Sequence, residues 1–161
     1  MNPNVNLMMN MLNLEIKPKE GLGNILFGEI PENLSKIMGE PESVEDVRTD
    51  DDLKTTILSF PDKGITVFLE GLIEPIVSNF DVDNKEATLF GVKIFDKTEA
   101  EARKLMEDNG YGNFEEDEEE WGERRLSCED ALMDFYFVKG KLQAVNWGVY
   151  IKDDGTIDSD V

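Results

Sequence analysis

Histidine is absent from this chain, which removes Ser-His and Cys-His catalysis, the usual proton shuttle near neutral pH and the commonest zinc ligand. Cysteine occurs once, as Cys128, so no internal disulfide can form. Its place in the alternating segment Leu126-Ser-Cys128 reads as a buried, inert thiol. Positive charge is scarce: 16 Lys+Arg stand against 36 Asp+Glu, a formal net charge of −20. A field of that sign repels phosphate backbones and anionic lipid heads, so no nucleic acid and no membrane surface is expected as partner. It speeds encounter with a basic protein instead. Long apolar runs are missing too. The Asn/Met-rich stretch from Met1 to Leu12 has neither a basic start nor an apolar core, so no secretory signal is expected and the expected location is cytoplasmic. Gly21-Leu-Gly23 has neither the following helix start nor the Lys of a phosphate loop.

What is present is an apparent doubling. Gly23, Leu26 and Phe27 lead into Leu34, Lys36 and Met38; Gly91, Ile94 and Phe95 lead into Ala102, Lys104 and Met106 at one constant offset. Asn79-Phe80-Asp-Val82 returns as Asn146-Trp147-Gly-Val149. With 161 residues and 40 % hydrophobic content, the chain is long enough to bury one core. The expected organisation is a single domain over 1–161, with a lead-in segment 1–20, repeat 1 over 21–84, repeat 2 over 85–152 and a tail over 153–161.

Each repeat reads β-α-β-β-β. Pro31 suits the first turn of a helix whose apolar stripe is Leu34, Ile37 and Met38, and Gly39 and Pro41 end it. Thr98-Glu-Ala-Glu101 fits a capping box opening the second helix, which Asn109-Gly110 ends. An acidic loop is expected after each helix, carrying Glu42, Glu45, Asp46 and Asp50–Asp52 in one and Glu115–Glu120 in the other. Strands are expected over 54–60, 64–70, 76–82, 123–128, 132–138 and 142–151. The expected fold class is α+β: two tandem repeats forming one antiparallel sheet, with both helices packed on one of its faces, the alternative being two small sheets packed back to back.

Strand parity divides that sheet. Ile65, Val67 and Leu69, with Met133, Phe135 and Phe137, should point at the helices, and Phe80 and Trp147 should be core. The opposite parity leaves Thr66, Phe68, Asp134 and Tyr136 outward, joined by Ile57, Arg125, Asn79 and Asn146. Phe68 and Tyr136 read as recognition anchors with Asp134, Arg125, Asn79 and Asn146 as rim contacts, unless the two rings cover each other or the N-terminal segment covers them. Trp121 reads either as an interaction knob or as a ring folded back to close a core edge.

Motifs for chemistry are weak. No carboxylate pair is singled out by spacing, as a glycosidase would require. Asp81, Asp83, Asn84 and Glu86 carry oxygen ligands but lack the Gly of a calcium loop, and Asp153, Asp154 and Asp158 belong to a turn. No metal, cofactor or catalytic residue is expected.

The segment Gly23–Gly39, a short apolar stretch and helix ending in Gly39-Glu-Pro41, resembles the opening of a β-lactamase-inhibitor-protein-like module, a family related to outer-membrane-assembly lipoproteins. The resemblance implies a tandem αβ repeat whose concave sheet grips a protein. The second helix departs from it by ending in Asn109-Gly110-Tyr111, and no functional residue carries across. The expected function is a non-enzymatic cytoplasmic protein-binding module, an inhibitor or immunity-type protein for a basic partner. The alternative is a small-ligand or metal-binding domain.

Overall fold

A computed structural model describes residues 12–48, 53–119 and 121–159. Of the segments discussed above, the first eleven residues, Asp50–Asp52, Glu120 and the last two residues lie outside it. The larger sheet has eight strands, all antiparallel. The first half of the chain supplies β4 (Ser43–Arg48), β5 (Lys54–Phe60), β6 (Ile65–Gly71) and β7 (Ile76–Val82). The second half supplies β10 (Phe114–Glu118), β11 (Glu123–Cys128), β12 (Met133–Val138) and β13 (Lys141–Gly148). Spatial order runs β10-β11-β12-β13-β7-β6-β5-β4, so the halves meet along a central seam where Trp147 pairs with Phe80.

Alternation explains the inner strands. Ile65, Val67 and Leu69 are buried on β6, as are Met133, Phe135 and Phe137 on β12, while the residues between them stay partly exposed. Short turns set the register. Lys139 and Gly140 both adopt positive φ between β12 and β13, the backbone of a two-residue hairpin turn. The β5–β6 and β11–β12 connections are both single 3-10 turns closed by a left-handed residue, Gly64 in one and Leu132 in the other.

What covers the buried face corrects the expected fold class. The protein is mostly β, with fifteen strands and only two α-helices among the described residues. It is not a sheet with helices packed on one face. Helix α1 (Pro31–Met38) and helix α2 (Glu99–Asp108) bury two side chains each, Leu34 and Met38, then Ala102 and Met106. Eight strands at about 4.8 Å spacing span roughly 34 Å, whereas an eight-residue helix is only about 12 Å long. A second sheet supplies the missing cover: β1 (Glu15–Lys17), β2 (Gly21–Leu22), β3 (Ile25–Leu26), β8 (Thr88–Leu89) and β9 (Val92–Lys93), in the order β3-β2-β1-β8-β9. Its β1–β8 pairing is parallel and joins distant parts of the chain. Leu22, Ile25 and Leu89 are fully buried. Trp147 donates from Nε1 to the Gly21 carbonyl at 3.1 Å, and Phe27 meets Phe80 at 5.5 Å between ring centres. A last hairpin, β14 (Tyr150–Ile151) with β15 (Ile157–Asp158), closes the chain.

The expected acidic loops also need correcting. Glu45 and Asp46 lie on β4 and Glu115–Glu118 on β10, the two edge strands of the large sheet. All six residues of β4 are exposed, and so are the four acidic residues of β10. An edge strand outside the core has no side chain to bury, so it shows no apolar alternation. Charge on such an edge also discourages unwanted strand pairing.

Thr98 caps α2 through a complete capping box, accepting from the Glu101 amide at 3.2 Å while Glu101 Oε1 accepts from the Thr98 amide at 3.0 Å. Thr98→Ala is expected to lose about 1 kcal/mol of stability in urea unfolding. A change within error would show the cap to be dispensable. Among the described residues no helix is long and apolar enough to cross a membrane.

Candidate functional site: the open face of the large sheet

The face turned away from the small sheet carries a polar row across four strands. Asp134 of β12 lies beside Asn146 of β13, which lies beside Asp81 of β7 and then Thr66 of β6. Tyr136 flanks this row on one side, between Arg125 and Ala144. Phe68 flanks it on the other, between Asn79 and Ile57. Two strands separate the two aromatics, and no ring contact joins them among the described residues. Six of the seven residues singled out from the sequence therefore share one face: Phe68, Tyr136, Asp134, Arg125, Asn79 and Asn146. Trp121 does not join them. It stands 72 % exposed at the tip of the β10–β11 hairpin.

Several groups on this face constrain one another. Arg125 is held by Asp117 of β10, a bond that raises its guanidinium further, while its Nε is buried without a partner. Burial pushes the Asp81 carboxyl above its usual range, only partly offset by a 3.4 Å hydrogen bond from Asn146 Nδ2. Burial also raises the Tyr136 phenol, with the Asp134 charge adding to the effect. Asn79 donates to Glu70 Oε1 and to Ser78 Oγ, both at 3.2 Å. Ser78 sits at the register shift between Phe68 and Leu69, fully buried, and donates to Glu70 Oε1 at 2.8 Å. The bulge places Ser78 beside Asn79, and Glu70 satisfies its buried hydroxyl.

Gly148 makes this arrangement possible. A Cβ there would stand 1.7 Å from Asn79 Oδ1 and 2.6 Å from the Ser78 carbonyl oxygen. The Asn79 carboxamide therefore lies directly over the glycine. The same face carries an open cleft of about 710 Å³, whose lining includes Glu70, Asn79, Arg125, Asp134 and Asn146 together with the apolar Leu53, Leu132 and Ile151.

Sequence parity placed the six residues but missed Glu70, Ser78, Gly148 and the Asp117 partner of Arg125. The one available signal was Gly148 itself, since a glycine inside a strand marks a close approach. Asp81 had drawn notice only as an oxygen ligand. Its neighbours Asn84 and Glu86 are engaged locally: Asn84 bonds the Lys63 carbonyl and the Glu86 amide, and Glu86 pairs with Lys93. Asp154 accepts from Thr156 within its own turn. Among the described residues no group of three or more carboxylate or thiol side chains is arranged around a metal position. Cys128 is fully buried, donates to the Gly112 carbonyl at 3.4 Å, and is pushed up by burial.

The Asp81 environment has a pH consequence. A carboxyl whose folded value lies above its ordinary 3.8 weakens the native state at neutral pH, because folding disfavours the charged form. That penalty is complete above the folded value and vanishes as pH falls below 3.8. Asp81→Asn is therefore expected to raise the urea midpoint at pH 7, with the gain shrinking on acidification. An equal gain at both ends of the range would exclude ionisation as its cause.

No family model, curated protein or solved structure matches this chain, and nothing identifies the β-lactamase-inhibitor-like module that Gly23–Gly39 resembles.

Proposed function

We propose that this chain is a non-enzymatic protein-binding module, an inhibitor or immunity-type protein acting in the cytoplasm, whose open sheet face takes a basic protein. The observation that carries this reading is one surface with Phe68 and Tyr136 amid polar groups and an acidic strand at each edge. Aromatic anchors within a polar surround are the usual composition of a binding patch. The edge strands supply the field. Negative charge is crowded enough near β10 that Glu115 raises the Glu129 carboxyl through a side-chain hydrogen bond. Charges at both ends of one face steer a cationic surface toward its middle.

The decisive experiment immobilises the protein and passes over it lysate from its source cell at about 50 mM and about 500 mM salt. A basic protein should be retained at low salt, released at high salt, and lost when Phe68 and Tyr136 are both changed to alanine. A failure to retain any salt-sensitive protein, or retention indifferent to the double variant, would sink the reading. The size of the cleft favours a small-ligand role as the second reading. In that case a metabolite would raise the melting temperature by mass action.

A further inference from the structure

Trp121 and the acidic strand β10 belong to one hairpin at the free edge of the large sheet. Among the described residues β10 pairs only with β11. The hydrogen-bonding phase of that pair is fixed at both ends. The Glu119 amide donates to the Glu123 carbonyl at 2.6 Å, and the Glu129 amide donates to the Asn113 carbonyl at 2.9 Å. Along an antiparallel strand, alternate residues bond the neighbour on one side. In this register Glu115 and Asp117 bond Ser127 and Arg125 of β11. Phe114, Glu116 and Glu118 therefore turn their backbone N–H and C=O groups toward the free side, where they form a template for one more strand. Side chains decide which strand fits. All four acids of β10 are exposed. Arg103, Arg124 and Arg125 engage Glu116 and Asp117, whereas Glu115 and Glu118 form no ion pair among the described residues. Glu115 meets another acid, Glu129. At the opposite edge, β4 carries Arg48 among its acids and has no aromatic residue.

We propose that β10 takes an extended segment of the basic partner, with lysine or arginine at alternate positions, as a ninth strand of the large sheet. The proposal rests on the protein-binding reading and adds how the partner is gripped. Main-chain hydrogen bonds to Phe114, Glu116 and Glu118 hold the added strand, and alternate side chains make it selective. Glu115 and Asp117 lie at the positions where side chains of the two strands come closest, since their own backbone groups face β11. Opposite charges attract there and like charges repel. The charge that turns away a second copy of this acidic strand thus admits a cationic one. A cation beside Glu115 also relieves the crowding that raises the Glu129 carboxyl. Trp121, 72 % exposed at the hairpin tip, offers the aliphatic stem of a lysine or arginine an aromatic surface at the end of the strand.

The test is a nuclear magnetic resonance titration of the 15N-labelled full chain with acetyl-Lys-Thr-Lys-Val-Lys-Thr-Lys-amide. The comparison peptide is N-methylated at both Thr and at Val, which keeps every charge and removes the donors of one strand edge. Saturable shifts and slowed hydrogen exchange are expected at the Phe114, Glu116 and Glu118 amides, with a shift of the Trp121 indole and a Kd on the order of millimolar. The N-methylated peptide should bind at least about tenfold more weakly. Glu118→Pro removes one outward amide and leaves the β11 ladder alone, a place where an edge strand tolerates proline. It should weaken the peptide at least about fivefold. Glu115→Gln, an exposed change that leaves the backbone untouched, should weaken it at least about twofold. Equal binding of the N-methylated peptide, shifts confined to β4 or to the open face, or no shift up to about 20 mM peptide would each overturn the proposal. A basic protein captured from lysate through Phe68 and Tyr136, but indifferent to Glu118→Pro, would keep the protein-binding reading and remove only the added strand.

Discussion

Replacing Trp147 by alanine is expected to lower folding stability by about 3–5 kcal/mol. The side chain is fully buried on the seam strand β13, opposite Phe80, at 5.4 Å between ring centres. It belongs to two layers at once. Its ring packs against Phe80 across the seam, and its Nε1 is bonded to the Gly21 carbonyl of the small sheet. Truncation would open a cavity, remove a ring contact and leave a carbonyl without its donor, and these losses act in the same direction. Trp147→Phe keeps most of the volume and loses the hydrogen bond, so it should cost only about 1–3 kcal/mol. Urea unfolding followed by circular dichroism measures both, since the alanine variant keeps only the exposed Trp121 as an indole fluorophore. An alanine variant less than about 1.5 kcal/mol weaker would mean that the seam is not the structural centre described here.

Gly148→Ala should be nearly as damaging, at about 2–3 kcal/mol, although it adds a single methyl group. Two clashes separate its effects. Asn79 Oδ1, 1.7 Å from the new Cβ, can swing away by giving up the bonds to Glu70 and Ser78. The Ser78 carbonyl oxygen, at 2.6 Å, cannot, because it is backbone and accepts from the Val149 amide at 2.9 Å. A double-mutant cycle therefore distinguishes them: combining Asn79→Ala with Gly148→Ala should cost less than the two changes summed, by about 1 kcal/mol. Strict additivity would show that Asn79 does not lie over the glycine. The same variant should fill the cleft floor and weaken any ligand that sits there.

These two residues also show how far the fold could be read in advance. Trp147 was legible as core because strand parity put it with Phe80, and burial followed the pleat. The inner strands of both halves were legible for the same reason, as was the Thr98 capping box, whose two hydrogen bonds depend on four consecutive residues. Gly148 could be flagged but not interpreted, since its neighbour Asn79 arrives from a strand far away in the chain. The fold class was misread because strands of two residues, such as Gly21–Leu22 and Thr88–Leu89, are too short to show any periodicity. The edge strands were misread as loops because solvent on one side releases them from the alternation that buried strands must keep.

Composition and pattern alone determined the charge, the absence of imidazole and disulfide chemistry, the inner strands and the parity that separates core from open face. All of these depend on residue identity or on neighbours within a few positions. Tertiary structure alone decided that a second sheet packs over the first, and that the acidic segments become the edges of the larger one. It also decided that the Asn79 carboxamide lies over Gly148 and that Asn146 donates to Asp81. Those outcomes depend on which distant strands come to lie side by side, and the free energy of such pairings is shared among residues that no local window contains together.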